Sequence, residues 1–333
     1  YMENDMVVFL SWHNSLPGYI SKVYSNLNLP KSFVSRDFVK GLDNKALMHA
    51  SNSYKAPTDH AVINLLENLN PSHLVVWNGD FNDSQRGFQV KLISLIKSTF
   101  PNIKFVYCEH GWMPQKSTFS MDKLGSNGSS SATFLKNIPQ TTALQSVINK
   151  RAQYTNAAKP VNINDYLYLP LQLNSDTQIT KYSPHFKDMG EFINHIISLF
   201  PNKTLVVKAH PKDKRDNLQR YQLICKQYTN VYFIEDSNNI GWCKSASGII
   251  AINSTVINEA LIFRKPIMTY GLNIFSNKGV TYEINDATDL QHQRNFISWK
   301  PDLNKIDSYV CWLLGLQFDS SNPNMTKVLN YFK

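Results

Sequence analysis

Two long stretches of this chain repeat one rhythm, a short apolar run followed by a longer segment with apolar residues at helical spacing. Met6–Leu10, His73–Trp77 and Ile103–Cys108 are apolar runs of strand length. Between the last two, Ser84–Phe100 places Phe88, Val90, Leu92, Leu95 and Ile96 on a helical repeat. Apolar strands alternating with helices imply a parallel sheet covered on both faces. The rhythm restarts after Lys159-Pro160. Tyr166–Leu171, Thr204–Ala209, Val231–Ile234, Gly248–Ile252 and Pro266–Tyr270 read as strands, with helices predicted over Met189–Phe200, Asp216–Tyr228 and Thr255–Ile262. The expected fold is therefore α/β with two doubly wound, Rossmann-type domains facing a central cleft, one over 1–160 and one over 161–315. The polar tail, 316–333, could cross back onto the first. Asn127–Pro139, rich in Ser, Asn and Gly, reads as a mobile loop.

Composition fits this division. With 333 residues, 42% of them hydrophobic, the chain can fill two cores. Lys plus Arg is 34 against 25 for Asp plus Glu, a net charge of +9 that suits an anionic partner. No block of five or more basic residues occurs, which argues against nucleic acid. The four cysteines, Cys108, Cys225, Cys243 and Cys311, have neither zinc-ligand nor disulfide-framework spacing. No apolar run approaches the roughly 20 residues that span a bilayer. No signal peptide is read, and Tyr1 suggests that the true start is missing. A cytoplasmic protein is expected, the basic balance being compatible with peripheral contact on the inner face of the inner membrane.

Ligands of open α/β sheets bind beyond the carboxyl ends of strands, and four polar clusters follow strands here. The first is Glu109-His110-Gly111-Trp112-Met113-Pro114 with Asp122. Glu109 is placed for acid/base work, or simply caps a helix or pairs with a lysine. The second runs from Leu171-Gln172 to Asp176, which is either a site carboxylate or a helix cap. The third is Lys208-Ala209-His210-Pro211, a cation and an imidazole able to hold phosphate or carboxylate. The fourth is Asn253-Ser254-Thr255, opening a helix that carries Glu259. Amides and hydroxyls at a helix start can bind an anion, although Ser and Thr are common caps. No GxGxxG, GxxxxGK[ST] or GxSxG motif is present. No DxD triplet occurs either, so no metal and no cofactor are expected.

Taken together and in this order, the clusters resemble the capsule polysaccharide biosynthesis family, which includes the retaining β-Kdo transferases KpsC and WbbB and the related KpsS. Trp77-Asn78-Gly79 is a weaker match. The resemblance implies a GT-B architecture, a CMP-Kdo donor, a glycan or lipid-linked acceptor and a retained β configuration. It assigns Asp176 as nucleophile and Glu109 as acid/base. It gives Lys208 and His210 the CMP phosphate and donor carboxylate, Ser254 and Thr255 the phosphate turn, and Glu259 the ribose. Gln172 and Asn253 complete the donor side; Asn78, His110, Gly111, Trp112 and Asp122 are assigned to the acceptor or the cleft. Alternatives are a transferase of another CMP-activated acidic sugar such as sialic acid, a non-catalytic nucleotide-sugar or glycan-binding module, or a UDP-sugar epimerase-like enzyme.

Overall fold

The computed structural model describes residues 6–11, 18–35, 53–56, 58–77, 83–139 and 144–333. Two compact units emerge: Tyr1–Ser131 with Leu316–Lys333, and Ala132–Gly315.

In the first unit β1 (Val7–Ser11), β2 (Lys31–Ser35), β3 (Ser53–Lys55), β4 (His73–Trp77) and β5 (Lys104–His110) form a parallel sheet in the order β3-β2-β1-β4-β5. β6 (Thr118–Asp122) then pairs antiparallel with β5. Alternate strand residues serve opposite faces. Val7, Phe9, Val75, Val106 and Cys108 pack against Ile20 and Val23 of the helix Gly18–Asn26. Val8, Leu10, Leu74, Val76 and Tyr107 pack against the helices Asp59–Leu69 and Asp83–Thr99. Two covered faces explain why these strands read as unbroken apolar runs. Thr58 starts the helix Asp59–Leu69 by accepting from the Ala61 amide at 3.1 Å, and Asn70 ends it in a left-handed conformation.

In the second unit all strands are parallel. β7 (Tyr166–Pro170), β8 (Thr204–Lys208), β9 (Val231–Ile234), β10 (Gly248–Ala251), β11 (Ile267–Thr269) and β12 (Tyr282–Glu283) lie in the order β12-β11-β10-β7-β8-β9. Counted from β7, this is the Rossmann order, with its reversal between β7 and β10. The helix Met189–Leu199 buries Phe192, Ile193 and Ile196 against Leu167, Leu169, Leu205 and Val207. Asp188 caps it through the Glu191 amide at 3.0 Å.

Beyond the second unit the chain returns to the first. β13 (Phe318–Asp319) adds antiparallel to β6, and Phe318 stacks on Phe119 at 5.0 Å. Gln317 fixes the return: Oε1 accepts from the Trp112 and Met113 amides at 3.0 and 2.9 Å, and Nε2 donates to Met113 O at 2.6 Å.

The units divide at 131/132, not near 160 as the sequence suggests. The reason is the helix Gln145–Ala157, which packs on the second unit. Its Arg151 donates to Ile262 O at 2.8 Å and pairs with the buried Asp307 at 2.5 Å, and Arg264 grips the same carboxylate.

Candidate functional site

The neighbouring strands β8, β7 and β10 end in three polar loops at the point where the second sheet reverses its strand order. After β7, Leu171 N donates to Lys208 O at 2.9 Å. Asn174 ties the loop down, donating to Asp188 Oδ2 and accepting from Met189 N, each at 2.8 Å. The half-buried Asp176 follows as N-cap of the helix Thr177–Tyr182, with Oδ1 accepting from Gln178 N at 2.9 Å. The capping alternative is thus realised for one oxygen of this carboxylate.

At the end of β8 the chain buries a cation. Lys208 is 4% exposed, and its Nζ donates to Ala209 O at 3.2 Å. Burial lowers its pKa, against the pull of Asp236 and Cys243. His210 is half-buried, and its Nδ1 accepts from Lys212 N at 3.2 Å, so the neutral ring carries its proton on Nε2. Burial lowers the His210 pKa as well, opposed first by Asp176 and then by Asp213. The ring is therefore a neutral donor at pH 7 rather than a cation. That the Asp176 charge reaches His210 brings the first two loops together.

After β10, Asn253 is fully buried and Ser254 nearly so. The Asn253 side chain donates to Gln178 O at 2.7 Å and accepts from Gln172 Nε2 at 3.0 Å. Ser254 Oγ accepts from Val256 N at 3.3 Å. The helix expected to run from Thr255 to Ile262 is instead the single turn Val256–Ala260 followed by a tighter turn, Leu261–Phe263, ending at the left-handed Arg264. So short a helix has little macrodipole, and anion binding there would rest on individual amides and hydroxyls. Glu259, half-buried, accepts from the Tyr154 hydroxyl at 2.8 Å.

Gln172 and Asn253 were expected to touch the donor. Their side chains grip each other and the surrounding loops, which holds this part of the site in shape. Tyr154, Asp236 and the buried Cys243 were not foreseen; the polar helix that carries Tyr154 gives little periodic signal. The Cys243 thiol, pushed up in pKa by burial, feels the charges of both Glu259 and Lys208.

The first cluster lies in the first unit. Glu109, half-buried near the end of β5, accepts from His110 N at 2.8 Å, and the His110 ring meets Trp77 edge-on at 5.3 Å. Three residues assigned to the acceptor or the cleft have structural work. A Cβ at Gly111 would sit 2.1 Å from Thr118 Oγ1, so only glycine fits the β5–β6 turn. Trp112 is buried and held by Gln317, its indole donating to Asn127 Oδ1 at 3.4 Å. Asp122 accepts from the Leu124, Gly125 and Ser131 amides and from the Ser130 and Ser131 hydroxyls, at 2.6–3.2 Å. It knots the serine-rich segment read as mobile into the short helical turns Asn127–Ser129 and Ser131–Phe134. Asn78 lies outside the described residues. Among the described residues no group of three or more His, Cys, Asp and Glu could hold a metal ion, and no helix is long and apolar enough to cross a membrane.

The sequence model of the family described as "Capsule polysaccharide biosynthesis protein" matches residues 131–309, more than half of the chain. The chain belongs to this family. The matched span contains all three loops of the second unit and leaves Glu109 to Asp122 outside it. Protein FixF of Sinorhizobium fredii (strain NBRC 101917 / NGR234) is 26% identical over 219 residues, 63% of this chain and 53% of that protein. The capsule polysaccharide export protein KpsS of Escherichia coli is 28% identical over 159 residues, 45% of this chain and 39% of KpsS. The aligned regions thus span about half or less of these curated relatives. Among solved structures, the β-Kdo 2,7 transferase of Thermosulfurimonas dismutans KpsC superposes with a TM-score of 0.57 at 15% identity, covering 99% of this chain and 100% of that one. The β-Kdo 2,4 transferase of the same KpsC gives 0.56 at 14% identity, covering 100% and 98%. This capsule-family chain therefore has the GT-B-like α/β fold of those transferases.

Proposed function

We propose that this chain is a glycosyltransferase that moves Kdo from CMP-Kdo to a glycan or lipid-linked acceptor in capsule or lipopolysaccharide synthesis, with retention and without a metal. The observation that carries the reading is that Asp176, His210 and Ser254 lie on three adjacent loops at the switch point of the second sheet, with Lys208 closing β8 and Glu259 on the short helix that follows Ser254. The names of the two KpsC transferases support the choice of Kdo. A buried ammonium and a neutral imidazole donor suit a phosphate diester and a sugar carboxylate.

In this mechanism an Asp176 oxygen attacks the anomeric carbon while the bond to the CMP phosphate oxygen breaks. Lys208 and His210 meet the charge that develops on the departing phosphate. The acceptor hydroxyl oxygen then displaces Asp176 and gives its proton to a general base, the role that the family resemblance assigns to Glu109. Two inversions yield retention, as in glycosidases that use two carboxylates.

Isothermal titration with CMP, with UDP as control, tests the nucleotide half on the wild type and on the Ser254→Ala/Thr255→Ala double variant. CMP binding lost in the variant supports the reading; UDP binding without CMP binding sinks it. The capping bond of Asp176 favours one second reading, a non-catalytic CMP-sugar module in which this residue only caps a helix. Asp176→Asn that binds CMP but loses turnover of CMP-Kdo supports the nucleophile. Unchanged turnover in that variant removes Asp176 from the chemistry, while a wild type that binds CMP-Kdo but gives no turnover with any acceptor favours the module.

A further inference from the structure

The helix Gln145–Ala157 lies outside the motifs read from the sequence, yet it delivers a buried side chain to the β10 loop. Tyr154 is 5% exposed and donates its hydroxyl to Glu259 Oε1 at 2.8 Å. Its ring stands edge-on to Phe263, with centroids 6.4 Å apart. One turn earlier Arg151 pins the helix through Ile262 O and Asp307. The phenol is therefore a fixed donor, and burial, then the Glu259 charge, push its pKa up, which favours the protonated form. The charges of Glu259 and Lys208 both act on the Cys243 thiol.

A glutamate carboxylate that must accept the two vicinal hydroxyls of a ribose needs its rotamer fixed beforehand. A free glutamate loses most of its side-chain entropy on such ordering. A neutral donor bound to one carboxylate oxygen fixes the rotamer, and an ionised carboxylate still has lone pairs for further partners.

We propose that Tyr154 is a positioning residue that sets the Glu259 carboxylate for the ribose diol of the donor nucleotide, so that preference for ribo- over 2′-deoxyribonucleotides depends on this helix. The inference rests on the nucleotide reading of the same site. The test is titration of the full chain with CMP and with 2′-deoxy-CMP, on the wild type, Tyr154→Phe, Glu259→Gln and the double variant. The wild type is expected to favour CMP by about tenfold, the size of one hydrogen bond to a charged group. Tyr154→Phe should lose about that factor for CMP and little for 2′-deoxy-CMP, collapsing the preference. In the Glu259→Gln background it should add nothing. Equal losses for both nucleotides would reveal a merely structural tyrosine and overturn the inference. A wild type that binds both nucleotides equally also overturns it, while leaving the CMP reading intact. A wild type that binds neither defeats both. Unchanged melting temperature in Tyr154→Phe, and agreement between it and Glu259→Gln, separate the effect from misfolding.

Discussion

Gln172 and Asn253 clasp each other at the strand-order reversal of the second sheet: Gln172 Nε2 donates to Asn253 Oδ1 at 3.0 Å, and Asn253 N donates back to Gln172 Oε1 at 3.2 Å. The Asn253 side chain also donates to the carbonyls of Gln178 and Tyr182, and its own carbonyl accepts from Asn273 Nδ2 at 2.6 Å. One fully buried amide thus joins the loop that carries Asp176 to the loop that carries Ser254. Asn253→Ala leaves several buried groups without partners, each worth about 1–3 kcal/mol. We expect a loss of about 2–5 kcal/mol, read as a shift in the urea midpoint at constant slope. A shift of a few tenths of a kcal/mol would mean that water replaces the side chain and that the clasp is not what holds the loops.

Asp122 makes a comparable prediction in the first unit. Five donors converge on its two oxygens. In Asp122→Asn the nitrogen cannot accept, so at least the donors on one oxygen lose their partner. Stability should fall by about 2–4 kcal/mol, and limited proteolysis should open the chain between Leu124 and Phe134. If the variant resists protease like the wild type, the knot does not depend on this carboxylate.

The fold was legible where burial is symmetric. His73–Trp77 has the bounds that its apolar run predicts, because a strand of a parallel sheet covered on both faces reads as an uninterrupted hydrophobic segment. β6, with the sequence Thr-Phe-Ser-Met-Asp, buries polar residues beside apolar ones and gives no clear run. The helix Gln145–Ala157 buries only Val147 and Tyr154, too few to mark a face. Gln317 and Trp112 meet across 205 positions, a contact that no local pattern encodes. The site was legible as loops after strands, but ligand contacts and loop fasteners use the same residue types. Asp122, Trp112, Gln172 and Asn253 all proved to fasten loops, because a polar or aromatic side chain that ends a strand is as often needed to satisfy buried backbone.

Lys278 gives a prediction in pH. It is 6% exposed, donates to Thr133 O and Ser276 O at 3.2 and 2.9 Å, and lies 5.8 Å from the Trp312 ring centroid. Burial lowers its pKa from 10.5 to about 8, against the opposing charge of Glu283. Between those values the unfolded chain binds more protons than the folded one at this residue, so its contribution to stability rises with pH. The stability difference between wild type and Lys278→Met should stay level below pH 8 and move in favour of the wild type between about pH 8 and 10.5. Chemical denaturation of both proteins across that window reads it directly, since the other lysines cancel in the difference. A difference that does not change over the window would place the Lys278 ammonium in contact with water.

Asp307 carries the strongest charge prediction. It is 3% exposed, Arg151 meets its Oδ1 at 2.5 Å, and Arg264 donates to both of its oxygens. Burial alone would raise its pKa, but the hydrogen bonds from Arg264 and the charge of Arg151 hold the carboxyl below the usual range. A carboxylate depressed in the folded state stabilises it above the unfolded pKa, and that stability is lost as pH falls through the folded value. The wild type should therefore lose stability relative to Asp307→Asn on acidification below about pH 4. At neutral pH, Asp307→Asn leaves two guanidinium groups around a neutral amide. Breaking a buried pair from one side costs about 3–5 kcal/mol, and the exposure of both arginines places the expected loss toward the lower figure. The two arginines come from different elements, so the cycle of Arg151→Met and Arg264→Met should be non-additive by about 0.5–3 kcal/mol. Additive losses would show that each arginine acts alone, and that the helix bearing Tyr154 is held by packing rather than by this shared carboxylate.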